Sequence, residues 1–106
     1  MTNLFPAFAT VRVRFHKQVQ KDLDQILEKY SEVSEELAED FFGEFQMGLF
    51  KIAENPRFFH FDACGLRRCN FDRFPYHLIY DVREDYVRVW VVRHNRRNPN
   101  WGLKRF

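Results

Sequence analysis

Apolar residues recur along this chain with three different periods, and each predicts an element. Val11-Arg12-Val13-Arg14-Phe15 alternates apolar and basic, the pattern of a half-buried strand. Val19, Leu23, Ile26, Leu27 and Tyr30 fall at helical spacing and predict a helix over about 16–30. Leu37, Ala38, Phe41, Phe42, Phe45, Leu49, Ile52 and Ala53 predict a second helix ending near 54. Ser31 or Ser34 can cap it, Glu35 and Glu36 suit the positive end of its dipole, and Asn55-Pro56 stops it. A phenylalanine-rich loop over 57–65 closes at Gly65. Strands then follow over 66–71, 76–83 and 86–93, the last two joined by Glu84-Asp85.

The register of that hairpin follows from its two-residue loop, which sets Arg83 opposite Tyr86. Val82 then faces Val87, Tyr80 faces Val89 and Leu78 faces Val91, all on the face toward the helices. Asp81 opposite Arg88 makes a cross-strand ion pair on the other face. Ile79 falls opposite Trp90 and His77 opposite Val92, with His94 one step further. A slip of one residue would drive Asp81 and Arg88 into the core. His77, Trp90 and His94 are therefore expected to share the face away from the helices, joined by Arg68 and Asn70. The fold class is α+β: a strand, a two-helix hairpin, then a three-stranded, mostly antiparallel sheet with the helices on one face.

At 106 residues the chain makes one domain, 1–106, with residues 1–9 expected as a loose arm. No apolar run approaches the roughly 20 residues of a membrane span, and the first ten residues lack the pattern of a signal peptide, so the cytoplasm is expected. Cys64 and Cys69 read as two small thiols rather than a disulfide. Their spacing calls for no metal, and no motif calls for a cofactor.

Charge is divided unevenly. Residues 1–56 hold 6 Lys+Arg against 10 Asp+Glu, whereas residues 57–106 hold 11 against 5. Lys104 is the only lysine of the basic half. Arginine's planar fork suits phosphate and carboxylate recognition. Three uses of that face are open. In an RNA-cleaving reading, a 2′-hydroxyl attacks the adjacent phosphate. His77 and His94 exchange protons, Arg67, Arg68, Arg73, Arg96 and Arg97 hold developing charge, and Tyr76, Tyr80 or Trp90 stacks on a base. In a binding reading, the same arginines with Trp101 anchor a partner protein. A DNA-reading module is the weakest, with no recognition helix and a net charge of only +2. The plainer reading of each histidine is a hydrogen-bonded structural residue. Phe41, Phe45, Phe58, Phe59 and Phe61 are expected to expose apolar surface for a partner or a second copy of the chain.

One ordered set of residues resembles a known family. Asp22-Leu23, a phenylalanine-bearing second helix, Asn55-Pro56 and Arg67-Arg68 come first. Phe74-Pro75-Tyr76 with Ile79-Tyr80, and His94-Asn95-Arg96-Arg97-Asn98-Pro99 with Trp101, complete it. Over about residues 11–102 this is similar to the RelE/ParE superfamily of toxins from bacterial type II toxin–antitoxin systems. The resemblance implies the fold above and a cognate antitoxin that wraps and neutralises the toxin, with a homodimer expected in its absence. It leaves two targets: the ribosome and its mRNA, which RelE-like members cut, or DNA gyrase, which ParE-like members poison without a nuclease centre. The first would make the chain an endoribonuclease, the second not an enzyme. RelE-like nucleases tend to carry an arginine where this chain has His77, and lysines or a glutamate where residues 57–66 have neither. The His-x-Arg-Arg ending looks closer to the ParE-like branch. The remaining alternative is a non-toxic protein-binding domain that has kept the toxin fold.

Overall fold

The computed structural model describes residues 11–105, so the arm expected over 1–9 lies outside them. Strand β1 (Arg12–Phe15) is followed by helices α1 (Val19–Ser31) and α2 (Glu35–Glu54). Strands β2 (Arg67–Asn70), β3 (Tyr76–Val82) and β4 (Tyr86–His94) complete one sheet in the order β1-β4-β3-β2. β1 lies parallel to β4 and the other pairs are antiparallel. The expected α+β architecture is what the chain adopts, with β1 joining the other three strands as an edge.

Ser34 is the cap the second helix uses: its hydroxyl accepts the Leu37 N–H at 3.0 Å. α1 buries Val19, Leu23 and Ile26, one apolar stripe, and α2 buries Phe41, Phe45, Leu49 and Ile52. Both stripes meet Leu78, Tyr80, Val87, Val89 and Val92 from one sheet face. Gly48 lets α2 approach closely, since a Cβ there would stand 3.3 Å from Leu78 Cδ1.

Phe41 is wholly buried and Phe45 nearly so. This corrects their assignment to a partner surface. Phe41 lies edge-on to Phe71, Phe74 and Tyr76, with ring centroids 5.1–5.3 Å apart. An aromatic cluster of that kind gives up its favourable geometry and its burial together if one ring leaves. Phe58 and Phe61 are exposed as expected, while Phe59 is half-buried with its ring edge-on to Tyr80. No helix of the described residues is long and apolar enough to cross a membrane.

The hairpin keeps the expected register only as far as Tyr80 opposite Val89. Ile79 then pairs with Val91, Leu78 with Val92, His77 with Arg93 and Tyr76 with His94. Trp90 is the extra residue of a β-bulge, and every pair beyond it is displaced by one. Side chains alternate between faces along a strand, so a one-residue displacement exchanges the faces. Val92 joins the helix-side core, Arg93 takes the outer face opposite His77, and His94 moves to the helix side beside Tyr76. His77 and His94 therefore lie on opposite faces of the sheet, contrary to the expectation that they share one.

Candidate functional site

The bulge divides the basic C-terminal region into two arrangements. The first is a closed ring of five polar side chains on the outer face, drawn from β2, β3, β4 and two loops. Arg93 Nη2 donates to Asp62 Oδ2 (3.1 Å) and its Nε to His77 Nε2 (3.0 Å). His77 Nε2 is thus an acceptor, so the ring proton sits on Nδ1 and is donated to Asn95 Oδ1 at 2.7 Å. Arg68 Nη2 donates to the same Asn95 oxygen and its Nη1 to Asp62 Oδ1, both at 3.3 Å, which closes the circuit. Arg93 Nη1 reaches the Pro99 carbonyl at 2.8 Å and so ties down the segment after β4.

Electrostatics within the ring follow from burial and donor count. His77 is 1 % exposed. Burial, reinforced by the Arg68 and Arg93 charges, pulls its pKa down to about 4 despite the Asn95 hydrogen bond. It is a neutral imidazole with both nitrogens engaged. Burial alone would raise the Asp62 carboxyl, but hydrogen bonds from Arg93, Cys64 and Arg68 outweigh it and hold the group at about 2. Asp62 is thus an anion facing two guanidinium groups. The acid–base pair expected of His77 and His94 is not assembled. His77 has no free nitrogen, and a sheet separates the two rings.

The second arrangement is a cavity of about 200 Å³ at the free edge of β4, on the helix side. β1 accompanies β4 only to Val89, and two side chains satisfy the edge beyond it. Asp22 Oδ2 accepts the Val92 N–H at 3.3 Å, and Arg105 Nη1 donates to the Trp90 carbonyl at 3.0 Å. Arg105 also grips both Asp22 oxygens, at 2.6 and 2.7 Å, so the C-terminal segment is fastened to α1. Gly102, with φ +88°, makes this path available by lying against Val91, where a Cβ would come within 3.2 Å of Cγ2.

Lys29 from α1, His94 from the end of β4, Arg97 from the following turn, Tyr76 and Trp101 border this cavity. The Arg96 backbone N–H donates to His94 Nδ1 at 3.0 Å, so the neutral ring presents its N–H at Nε2. Burial, then Arg96, Lys29 and Arg97, lower the His94 pKa. The Trp101 ring has the Arg97 guanidinium 5.1 Å from its centroid and that of Arg105 at 5.3 Å.

The other expected site residues are spread elsewhere. Arg67 staples the 57–61 loop by donating to the Phe59 carbonyl at 2.7 Å and lying 4.3 Å over the Phe61 ring. Arg73 pairs with Asp40 of α2 at 3.5 Å. Trp90 is buried at the bulge, donating to Asp81 Oδ1 at 3.1 Å with Arg88 4.6 Å over its ring. Arg96 is exposed, and its guanidinium has no acid partner among the described residues. Residues that spacing did not single out complete both arrangements: Asp62, Arg93 and Asn95 in the ring, Asp22, Lys29 and Arg105 at the cavity. Asn95 and Asp22 belong to the residues that carry the family resemblance, and two of the six also had a local signal. Arg93 follows the apolar pair Val91-Val92, and Asp22 interrupts the buried stripe of α1.

Two likenesses place the chain among known proteins. A family model described as the ParE toxin of the type II toxin-antitoxin system, parDE, matches residues 13–99. Among solved structures, the fold is similar to a chain titled "Chromosomal ParDE TA system from P. aeruginosa". The TM-score is 0.70 at 13 % identity, over 81 % of this chain and 97 % of that one. No curated protein matches the sequence.

Proposed function

The chain belongs to the ParE toxin family of type II toxin–antitoxin systems, and from that premise we propose that it is a cytoplasmic toxin that acts by binding DNA gyrase, without a nuclease centre. One observation carries the choice of target. RNA cleavage by the route available to this chain needs a proton acceptor and a proton donor on the same side of a scissile phosphate. His77 is buried, neutral and bonded at both nitrogens, and His94 stands on the other side of the sheet. What remains accessible is arginine and tryptophan after the last strand: Arg96, Arg97 and half-buried Trp101.

A cognate antitoxin neutralises this toxin in our reading, and exposed Phe58 and Phe61 supply part of its contact. In the antitoxin's absence the same phenylalanines can bring two copies together. Arg67, stacked on Phe61, holds that loop in position.

Expression of the full chain should arrest growth, and co-expression of the neighbouring gene's product should relieve the arrest. Purified protein should inhibit supercoiling by gyrase and leave mRNA on translating ribosomes intact. Ribosome-dependent cleavage that disappears on replacing His94 would overturn the proposal. Growth unaffected by expression would favour a binding domain that has kept the fold without the poison.

A further inference from the structure

The cavity at the β4 edge carries one sign of charge. Its acidic residue, Asp22, is fully committed to Arg105 and the Val92 N–H. Lys29 and Arg97 have no acid partner among the described residues. The tautomer set by the Arg96 N–H makes His94 a third donor at Nε2. Three donors from three different elements thus border a space of about 200 Å³. Arg97 is held by its stacking on Trp101, which lowers the entropy cost of using it. The negative end of the α1 dipole lies close by, but a half charge is outweighed by Lys29 alone.

We propose that this cavity is a binding site for a phosphate group, carried by a free nucleotide or by a nucleic-acid backbone. A phosphate offers several strong acceptor oxygens in a tetrahedral arrangement, so a lysine, an imidazole N–H and an arginine can each bond a different one. A carboxylate can also accept three donors, but its lone pairs lie in one plane, so donors converging from three separate elements suit the tetrahedral oxygens of a phosphate better. Tyr76 and Trp101 supply the aromatic surface on which a sugar or base attached to that phosphate would rest. The cavity shares Arg97 and Trp101 with the surface proposed for gyrase, but it rests on its own observation, three donors around one space, so either reading can fail alone.

The repulsion of Lys29, Arg96 and Arg97 on His94 makes that ring the reporter, because a bound anion offsets it. Pyrophosphate titrated into the full chain should move the His94 ring resonances saturably in NMR and raise the pH at which His94 titrates. Lys29→Gln and Arg97→Gln should each weaken binding about tenfold, the equivalent of one lost charge-assisted hydrogen bond. Competition by a nucleoside monophosphate and by a duplex oligonucleotide separates the two sources, the stronger competitor naming the ligand. A shift that never saturates, or one unchanged in both variants, would overturn the site. So would a glutamate-rich peptide that binds where pyrophosphate does not. Supercoiling inhibition that survives while phosphate binding is absent would remove this inference and leave the proposed function standing.

Discussion

His77 and His94 sit opposite neighbouring residues of adjacent strands, and their surroundings have almost nothing in common. Around His77 each guanidinium nitrogen and the imidazole N–H has an acceptor: the groups of Arg68 and Arg93 face one carboxylate, amide and carbonyl oxygens and the imidazole. Around His94 three cations face no carboxylate that is free to answer them. The outer ring spends its polar groups on one another and so fastens a loop and the C-terminal segment to the sheet. The edge cavity leaves its polar groups available. Histidine and arginine together do not mark a site. What marks one is hydrogen-bonding capacity left over after the fold has taken its share.

The largest test of that contrast is Arg93→Met. It keeps the apolar stem but leaves Asp62 as a charge 7 % exposed, answered by the Cys64 N–H and by one cation, Arg68, itself more exposed. Breaking one partner of a buried pair costs about 3–5 kcal/mol, so urea denaturation should show a loss of that order. A loss below about 1 kcal/mol would mean that the ring is not what holds the loop and tail.

Acid should act on the ring in two separable steps. The folded chain holds a proton on His77 less tightly than the unfolded chain, about 4 against 6.5. Stability is therefore complete above about pH 6.5 and falls as the pH drops toward 4, by on the order of 3 kcal/mol. Asp62 adds its own loss only below 3.8. His16 and His94, also lowered but far more exposed, contribute a smaller part of the slope below 6.5. His77→Gln cannot titrate, and its stability profile should be nearly flat above pH 4 while keeping the Asp62 step. An unchanged slope would mean that the buried imidazole is not the group responsible.

Much of the scaffold was legible before any coordinates. Apolar spacing located both helices, Ser34 was one of two expected caps, and the loop length set the first four hairpin pairs. The bulge was not legible, for a definite reason. Val91 and Val92 are adjacent, so a displacement of one residue replaces Leu78–Val91 by Leu78–Val92 and leaves the core equally apolar. The hydrophobic pattern is degenerate there, and the polar residues downstream inherit the ambiguity. The ring was hidden too, since Asp62 and Arg93 are 31 residues apart and lie on different kinds of structure. Phe41 and Phe45 were misplaced because the second helix carries a broad apolar stripe, and spacing alone does not say which of its residues the sheet covers. The sheet and the aromatic cluster absorb several of them, while Phe15, Phe58 and Phe61 remain outside.

Gly102 links the two regions, because the segment it belongs to is held by Arg93 through Pro99 and by Asp22 through Arg105. Gly102→Ala meets both a φ of +88° and the Val91 methyl groups. Strain of that kind costs about 1–3 kcal/mol, and part of it can be relieved by lifting the segment from the sheet. Trp101 fluorescence should then become more exposed to a soluble quencher, with a modest fall in melting temperature. A variant with unaltered quenching would show that the segment stays seated without its glycine.

Arg97→Gln should do least to the fold and yet say most about the contrast. The side chain is exposed, and its partner among the described residues is the Trp101 ring, a contact worth about 0.5–1 kcal/mol at such a site. Denaturation should move by no more than that. His94 should nevertheless titrate at a higher pH in the variant, because one of the cations that repel its proton is gone. The same substitution made in the ring, at Arg93, would reverse the ranking of the two effects. If Arg97→Gln instead destabilises the chain as strongly as Arg93→Met, the cavity cations are part of the framework, and the division between a closed ring and an open site does not exist.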